Sequence, residues 1–498
     1  MRNVTSGAAD GAEQLDPRRW TALGVCVAAL FMTLLDVSIV TVALPSIGAS
    51  TGAAPSQLQW VVSGYALAFG MVPIIGGRLG DDRGRKRMLL VGIAAFVVFS
   101  ALVGLAPSPA VLIAARVLQG LAGGLVNPQV SGLVQQLFPL RERGKAFGLI
   151  GAAVGIATAA GPVVGGLLIA LGGEQFGWRL CFLVNVPIGL AALVLCARLL
   201  PAQPRRDTRR PLDLPGATLL SLGVFGVLFP AVQFDADHDV RLALLLVPAL
   251  AVLAGFVGWE RGPGRRRGYP LVDLQLFRIR SFADGTGLAV LFFCAYTGTP
   301  LVLALFLQEG LGFSPLQSGL AASSYAVGAA LSAPIGGWLV PRLGQRLLVG
   351  ALGLFTVGVA AAALVAGNLA GDAEPVTVAL LMAPALLLAG LGGGSVVTPN
   401  QALSLAEVDV RGGSTAGGVL QTAQRFGNAI GAAIITAVFY ASVTGAAGSG
   451  TAREADYGQA YAVSLVVSVV FAAAALVVAV RDVRRRPAPE PEPKPVAR

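Results

Sequence analysis

Residues 32–47 read M-T-L-L-D-V-S-I-V-T-V-A-L-P-S-I, an apolar run broken by one carboxylate, Asp36. The run lies inside an apolar segment covering residues 21–46. At about 1.5 Å per residue, such a helix crosses a hydrocarbon core of about 30 Å. A charge near the middle of a span costs about 2.5–3.5 kcal/mol on insertion scales. No other acid lies so deep in any apolar segment of the chain. An ionisable group at that depth marks a proton or ion pathway. The stretch therefore predicts movement of a small molecule across a membrane, with Asp36 binding and releasing the driving proton.

Composition agrees. Of 498 residues, 55% are hydrophobic and 12% charged, with a mean hydropathy of +0.75. Soluble domains are about one quarter charged. The 65 glycines suit close helix contact in a membrane. Cys26, Cys181, Cys196 and Cys294 all fall in apolar segments at irregular spacing, which implies neither a disulfide framework nor a metal site. The sole histidine, His238, sits in F-D-A-D-H-D between two segments and reads as a solvated loop residue. No phosphate-cradling loop, metal cluster or nucleophile–base pair is present, which speaks against an enzyme and predicts no cofactor.

Fourteen apolar spans are predicted, at about 21–46, 57–76, 88–106, 109–131, 144–172, 179–200, 214–234, 242–259, 285–308, 315–340, 347–366, 376–400, 413–440 and 460–480. An even number places both termini on one side. Of the 36 basic residues, 31 fall in loops on the N-terminal side. Three, Arg179, Arg241 and Arg453, fall on the other, and two, Arg116 and Arg425, lie inside spans. The positive-inside rule then puts both termini in the cytoplasm. The net charge of +10 is thereby a topological signal, and no nucleic-acid partner is implied.

Three echoes divide the chain. G-G-R-L-G at 76–80 recurs as G-G-W-L-V at 336–340, and L-V-N-P-Q at 125–129 as V-V-T-P-N at 396–400. R-G-K-A at 143–146 recurs as R-G-G-S-T-A at 411–416. Their similar offsets predict two six-helix halves with two helices inserted between them, a build common among transporters. The expected division is a cytoplasmic N-terminus (1–20), an N-terminal bundle (21–200), a linker region (201–281), a C-terminal bundle (282–481) and a disordered Pro-rich tail (482–498). The linker region holds the inserted helices, 214–234 and 242–259. Within it, Leu271, Leu274 and Phe277 would share one helical face, as in a helix lying in the interface. A plain basic linker is the alternative.

The charged motifs carry a resemblance. Gly77–Lys86, G-R-L-G-D-D-R-G-R-K, is similar to the loop pattern G-x-L-a-D-r-x-G-r-k of the major facilitator superfamily. Arg116–Gly124, R-V-L-Q-G-L-A-G-G, matches that family's R-x-x-q-G pattern. Gly155–Gly166, G-I-A-T-A-A-G-P-V-V-G-G, matches the pattern marking its antiporters. Leu35–Pro45, Gln59–Leu67, Trp178–Gly189 and Pro270–Phe282 resemble patterns of the fourteen-span drug/proton antiporter branch. The resemblance implies an all-α polytopic membrane protein with the major facilitator fold, its spans arranged as six, two and six.

It also implies roles. Gly77, Asp81, Gly84, Arg85 and Lys86 would form a loop that stabilises one conformation. Gly155, Gly161, Pro162, Gly165 and Gly166 would form a tightly packed hinge. Span lengths put Asp36 and Arg116 at one depth, roughly 8–10 Å from the outer boundary, where they would pair or compete for protons. Trp60, Tyr65, Gln119, Phe292, Phe293, Tyr296, Asn400 and Gln421 are candidates for the substrate cavity, though the aromatic ones could equally face lipid or a helix contact. Arg425 would meet an anionic or polar substrate group, or bond backbone carbonyls.

The expected function is proton-coupled export of small hydrophobic or amphipathic compounds by alternating access. The protein would act as a monomer in a bacterial cytoplasmic membrane and draw on the proton motive force. Export of a lipid or cell-envelope precursor, and proton symport, are the alternatives.

Overall fold

The computed structural model describes residues 17–201, 211–237, 244–262, 270–447 and 454–485. His238, Arg241, Arg453, the first 16 residues and the tail 487–498 lie outside the described residues. Hydrocarbon offers the backbone no hydrogen-bond partners, so apolar runs of this length satisfy their own amides as helices. Fifteen α-helices form among the described residues. They are α1 (Arg19–Thr51), α2 (Pro55–Met71), α3 (Pro73–Arg83), α4 (Arg85–Gly104), α5 (Pro109–Leu137) and α6 (Leu140–Leu183). Next come α7 (Asn185–Leu199), α8 (Leu214–Asp237), α9 (Leu246–Arg261) and α10 (Arg280–Leu305). The last are α11 (Pro315–Leu343), α12 (Gln345–Leu369), α13 (Pro375–Ser404), α14 (Gly413–Ala447) and α15 (Glu454–Arg485).

Over its described residues, every predicted span coincides with helix. By length and apolarity, ten helices qualify to cross a membrane, or eleven when α2 and α3, bent by 45°, count as one span. The difference from fourteen falls on α8, α9 and α11. α9 has 16 residues, the apolar part of α8 ends at Pro230, and α11 is diluted by Ser, Gly and Pro. α6 breaks at Gly173, where φ is +70°, and separates two of the qualifying spans.

Three cores hold the helices. One joins α1, α2, α4 and α5 to α8 and to the first half of α14 through Leu89, Phe96, Leu220, Val419 and Leu420. A second lies within the C-terminal helices around Phe292, Phe306, Phe355 and Phe439. A third seats Trp178 and Phe182 between α1 and α5. α8 packs against both α2 and α14, and Trp60 meets Phe229 ring to ring. The inserted pair thus covers the seam where an early helix meets a late one.

The other seam, between α6 and α11, is built on glycine. A Cβ at Gly337 would stand 2.5 Å from the Gly144 carbonyl oxygen and 2.6 Å from the Gly148 Cα. The helices touch from Gly144 to Gly155, and beyond that Val163 and Leu167 are exposed. The closed part of this seam lies at the end carrying most of the basic loops.

The segment 271–278 differs from the expected interfacial helix. Leu274–Arg278 is a single 3-10 turn, capped by Asp273 through the Gln275 amide at 2.9 Å. Leu271 is buried while Phe277 is exposed, so the two do not share a face. The reason is Glu260. One of its carboxyl oxygens accepts the Leu271 amide at 2.9 Å and the Val272 amide at 3.3 Å, pinning this strand-like entry under α9. Asp213 ties α8 to α9 alongside, accepting from the Gly216 amide and from Trp259 Nε1.

Glu260 lies just past the predicted span. Burial pushes its carboxyl up to about 7, with Asp213 adding to the rise and Arg78 and the two amides opposing it. A raised native value makes its contribution complete at acid pH and lost as pH rises through about 7. Amide exchange of residues 271–278, corrected for intrinsic rates, should therefore accelerate between pH 6 and 8. Glu260→Gln should remove that dependence. At the α6–α11 seam, Gly337→Val should lower the melting temperature in detergent, by about 1–3 kcal/mol of overpacking strain.

Candidate functional site

Asp36 is completely buried in α1, and three side chains from two other helices point at it. Arg116 of α5 donates from Nη1 to Oδ2 at 2.6 Å. Gln119, one turn on, donates to Oδ1 at 3.0 Å, and Asn185 at the start of α7 donates to the same oxygen at 2.7 Å. Ser100 of α4 accepts from both amides, at 2.7 and 3.0 Å. Arg116 spends its Nε on the Val61 carbonyl at 3.1 Å and lies over the Tyr65 ring at 4.2 Å. A buried ion pair survives only if its remaining donors and acceptors are met. Here five helices meet around one carboxylate.

Sequence reasoning paired Asp36 with Arg116 and placed Gln119 and Tyr65 among candidate cavity side chains. It missed Asn185 and Ser100. Asn185 stood inside a quoted motif, W-R-L-C-F-L-V-N-V-P-I-G, yet nothing in its spacing aimed it at Asp36. Ser100 carried no signal.

The antiporter-type stretch lies against the same helix. Pro162 has no amide hydrogen, so the carbonyl four residues earlier, Thr158, loses its helical donor. Ser38, two residues past Asp36, supplies one: its hydroxyl donates to the Thr158 carbonyl at 2.8 Å. Gly161 sits so close to Ser38 that a Cβ would collide with it, and Gly165 lies against Ile39. Gly155 faces Ala330 of α11, while Gly166 has nothing within 4 Å. α6 runs on as helix through Pro162.

At the end with the basic loops, the Gly77–Lys86 stretch forms a lock. Gly84 takes φ +99° between α3 and α4. Asp81 accepts from Arg85 at 2.9 Å, from the Ser414 amide at 3.1 Å, and from the Thr415 amide and hydroxyl, both at 2.8 Å. It thereby caps the start of α14, where unpaired amides and the helix dipole favour an anion. Arg85 also donates to the Gly132 carbonyl at 2.6 Å and to the Val410 carbonyl. Gly77 has no room for a Cβ beside the Ser414 carbonyl. Lys86 instead turns to α7 and donates to the Ala197 and Leu200 carbonyls. Asp82, where the family pattern has Arg, pairs with Arg78 at 2.9 Å.

The remaining candidates scatter. Phe292 is 1% exposed and packs with Phe293, Tyr296 and Phe355 inside the C-terminal core. Tyr65 is 2% exposed, its hydroxyl on the Thr33 carbonyl. These two are core rather than wall. Asn400 donates to the Gly285 carbonyl near the basic end. Trp60 meets α8, as above. Gln421 reaches Ser131 at 3.5 Å, and Arg425 lies over Phe69 at 4.7 Å.

The comparisons agree with this geometry. The sequence profile of the Major Facilitator Superfamily matches residues 26–264 and 286–498. The chain is 38% identical to a probable actinorhodin transporter of Streptomyces coelicolor, over 85% of this chain and 73% of that one. It is 35% identical to the puromycin resistance protein pur8 of Streptomyces alboniger, over 97% and 95%. In structure it resembles the human organic anion transporter MFSD10 (TETRAN), with a TM-score of 0.64 over 93% of this chain and 100% of that one. At 16% identity that likeness concerns the fold alone. With its matched profile and its helical build, the chain belongs to the Major Facilitator Superfamily.

Proposed function

We propose that this protein exports small amphipathic compounds across a bacterial cytoplasmic membrane in exchange for protons. Its spans number fourteen, as two six-helix halves flanking α8 and α9, with both termini in the cytoplasm. The observation that carries the reading is the Asp36 site: a buried carboxylate held at 2.6 Å by Arg116 and by two amides from separate helices. Protonating such a carboxylate removes the charge that Arg116, Gln119 and Asn185 were gathered around. The packing of α1 against α5 and α7 then changes with protonation, and Ser38 passes the change to α6.

The relatives named for antibiotic export and resistance support the substrate class. The basic end, read as cytoplasmic, is closed by the Asp81 lock and by the glycine seam. This form is therefore the outward-facing one. With the space between the halves open outward, Asp36 takes up a proton and substrate leaves. Opening inward breaks the lock and lets the proton escape. A potential of 100 mV supplies about 2.3 kcal/mol per charge, and each pH unit about 1.4 more, enough for at least about hundredfold pumping per proton.

In proteoliposomes with pyranine trapped inside, export of an amphipathic dye should acidify the compartment that receives protons. Asp36→Asn leaves Arg116 buried without its counter-charge, so it should melt below the parent protein, and it should abolish this coupling. A dye gradient built by Asp36→Asn at the parent rate would overturn the assignment. Arg116→Ala strands the carboxylate and should cost about 3–5 kcal/mol, read as a lower melting temperature. Asp81→Ala should leave both dye and proton sites intact while increasing labelling of cysteines placed at the basic end.

A further inference from the structure

We infer that Arg425 anchors an anionic group of the transported compound, so the preferred substrates are amphipathic acids. The inference rests on the export reading above and adds the charge of the cargo.

Arg425 lies 12 residues from the start of α14 at Gly413, about 18 Å along the helix and so near mid-membrane. α14 contacts the N-terminal helices in a series that climbs from the basic end. Gly413 meets Gln135, Gly417 meets Ser131, Gly418 meets Pro73, Gln421 reaches Ser131 and Arg425 covers Phe69. Arg425 marks the furthest point of that series. On the opposite seam, α6 and α11 stay in touch up to Gly155 and Ala330. Arg425 thus stands at the mid-membrane end of the contacts that α14 makes with the N-terminal helices.

Its charge is not neutralised there. Among the described residues, no acid and no hydrogen-bond acceptor reaches the guanidinium, which lies over the Phe69 face. No Asp or Glu occurs anywhere in α14. Asp36 is held by Arg116, Gln119 and Asn185 and is not free to turn. Asp36, Arg116 and Arg425 together leave one net positive charge around Tyr65 and Phe69. Arg425 is half-buried, and its nitrogens are not among the sealed atoms that lack partners. One turn below, Gln421 Oε1 is buried without a partner and can accept a hydroxyl.

A guanidinium presents a planar fork of donors matched to a carboxylate, phenolate or sulfonate, and it keeps its charge at any physiological pH. A cationic drug would meet an uncompensated like charge at the same place. An inside-negative potential also favours expelling an anion. Exchanging a monoanion for a proton moves two charges at once, so export should respond to potential alone at equal pH.

The test uses the full chain in detergent and two xanthene dyes of opposite charge, fluorescein and rhodamine 6G. The parent protein should bind fluorescein at least about tenfold more tightly, as expected for a charge-assisted contact. Arg425→Gln should lose about that factor for fluorescein and leave rhodamine 6G within about twofold. Arg425→Lys should keep part of the preference. Equal binding of the two dyes by the parent protein overturns the inference, as does an Arg425→Gln variant that weakens both alike. If Arg425→Gln fails to fold, the parent ratio and Arg425→Lys decide. In proteoliposomes the two readings part company. Pumping of both dyes without preference sinks the anion site and leaves export standing. Arg425-dependent fluorescein binding without any pumping sinks export and leaves the anion site.

Discussion

A carboxylate without water must be supplied with donors, and Asp36 obtains all of its donors from other helices. That constraint organises the N-terminal part of the molecule. Arg116 and Gln119 share one face of α5, Asn185 opens α7, and Ser100 on α4 holds the two amides in register. Truncating any of them would leave charge or dipole unpaired in a medium that penalises it heavily. The arrangement is costly as a device for stability, since an apolar plug would hold these helices as well. Its persistence in such surroundings is most simply understood if the carboxylate is required to change state.

The same economy appears where helices must slide. Close approach at α6–α11 and at α3–α14 relies on glycine, which presents backbone to backbone and no interlocking side chains. Such faces separate at low cost, because little apolar surface is withdrawn from its partners. Specificity then has to come from a few polar contacts placed at one end, and Asp81 with Arg85 provides them. Asp81 spends both oxygens on α14 and on Arg85, and Gln135 adds a bond to the Gly413 carbonyl beside it. Lys86 is directed elsewhere, to the carbonyl end of α7, where a cation complements the helix dipole.

Sequence carried the helices well, because hydropathy marks apolar runs, and ten or eleven of them qualify to cross a membrane. It carried Asp36 and Arg116 for the same reason: a charge in an apolar run is conspicuous, and counting residues gives its depth. It could not carry Asn185 or Ser100, which are ordinary polar residues until the fold aims them. For Phe292 and Tyr65 the sequence left cavity wall, lipid face and helix contact open, because composition does not say which face of a helix is inward; both are buried in helix contacts. The segment near Leu271 failed differently. Its periodicity was genuine, and Glu260, eleven residues earlier, captured the two amides that a continuing helix would have needed. The span count turned on α8, α9 and α11, whose apolar runs are short or diluted.

The two buried arginines are joined by more than proximity. Arg116 covers one face of Tyr65, Tyr65 stacks on Phe69 at 5.8 Å, and Arg425 covers Phe69. This stack runs from the Asp36–Arg116 pair to Arg425 of α14. Rings between two cations are held by both, so neutralising either cation loosens the sandwich. Under the proposed exchange, an anion paired with Arg425 would weaken its hold on Phe69. A proton on Asp36 would have the opposite effect on Arg116, which would lose its carboxylate and lean more heavily on Tyr65. The two ligands would then act on one shared aromatic pair from opposite ends and in opposite senses. That is the arrangement exchange requires: mutual influence through a common element, without the two ligands competing for the same atoms.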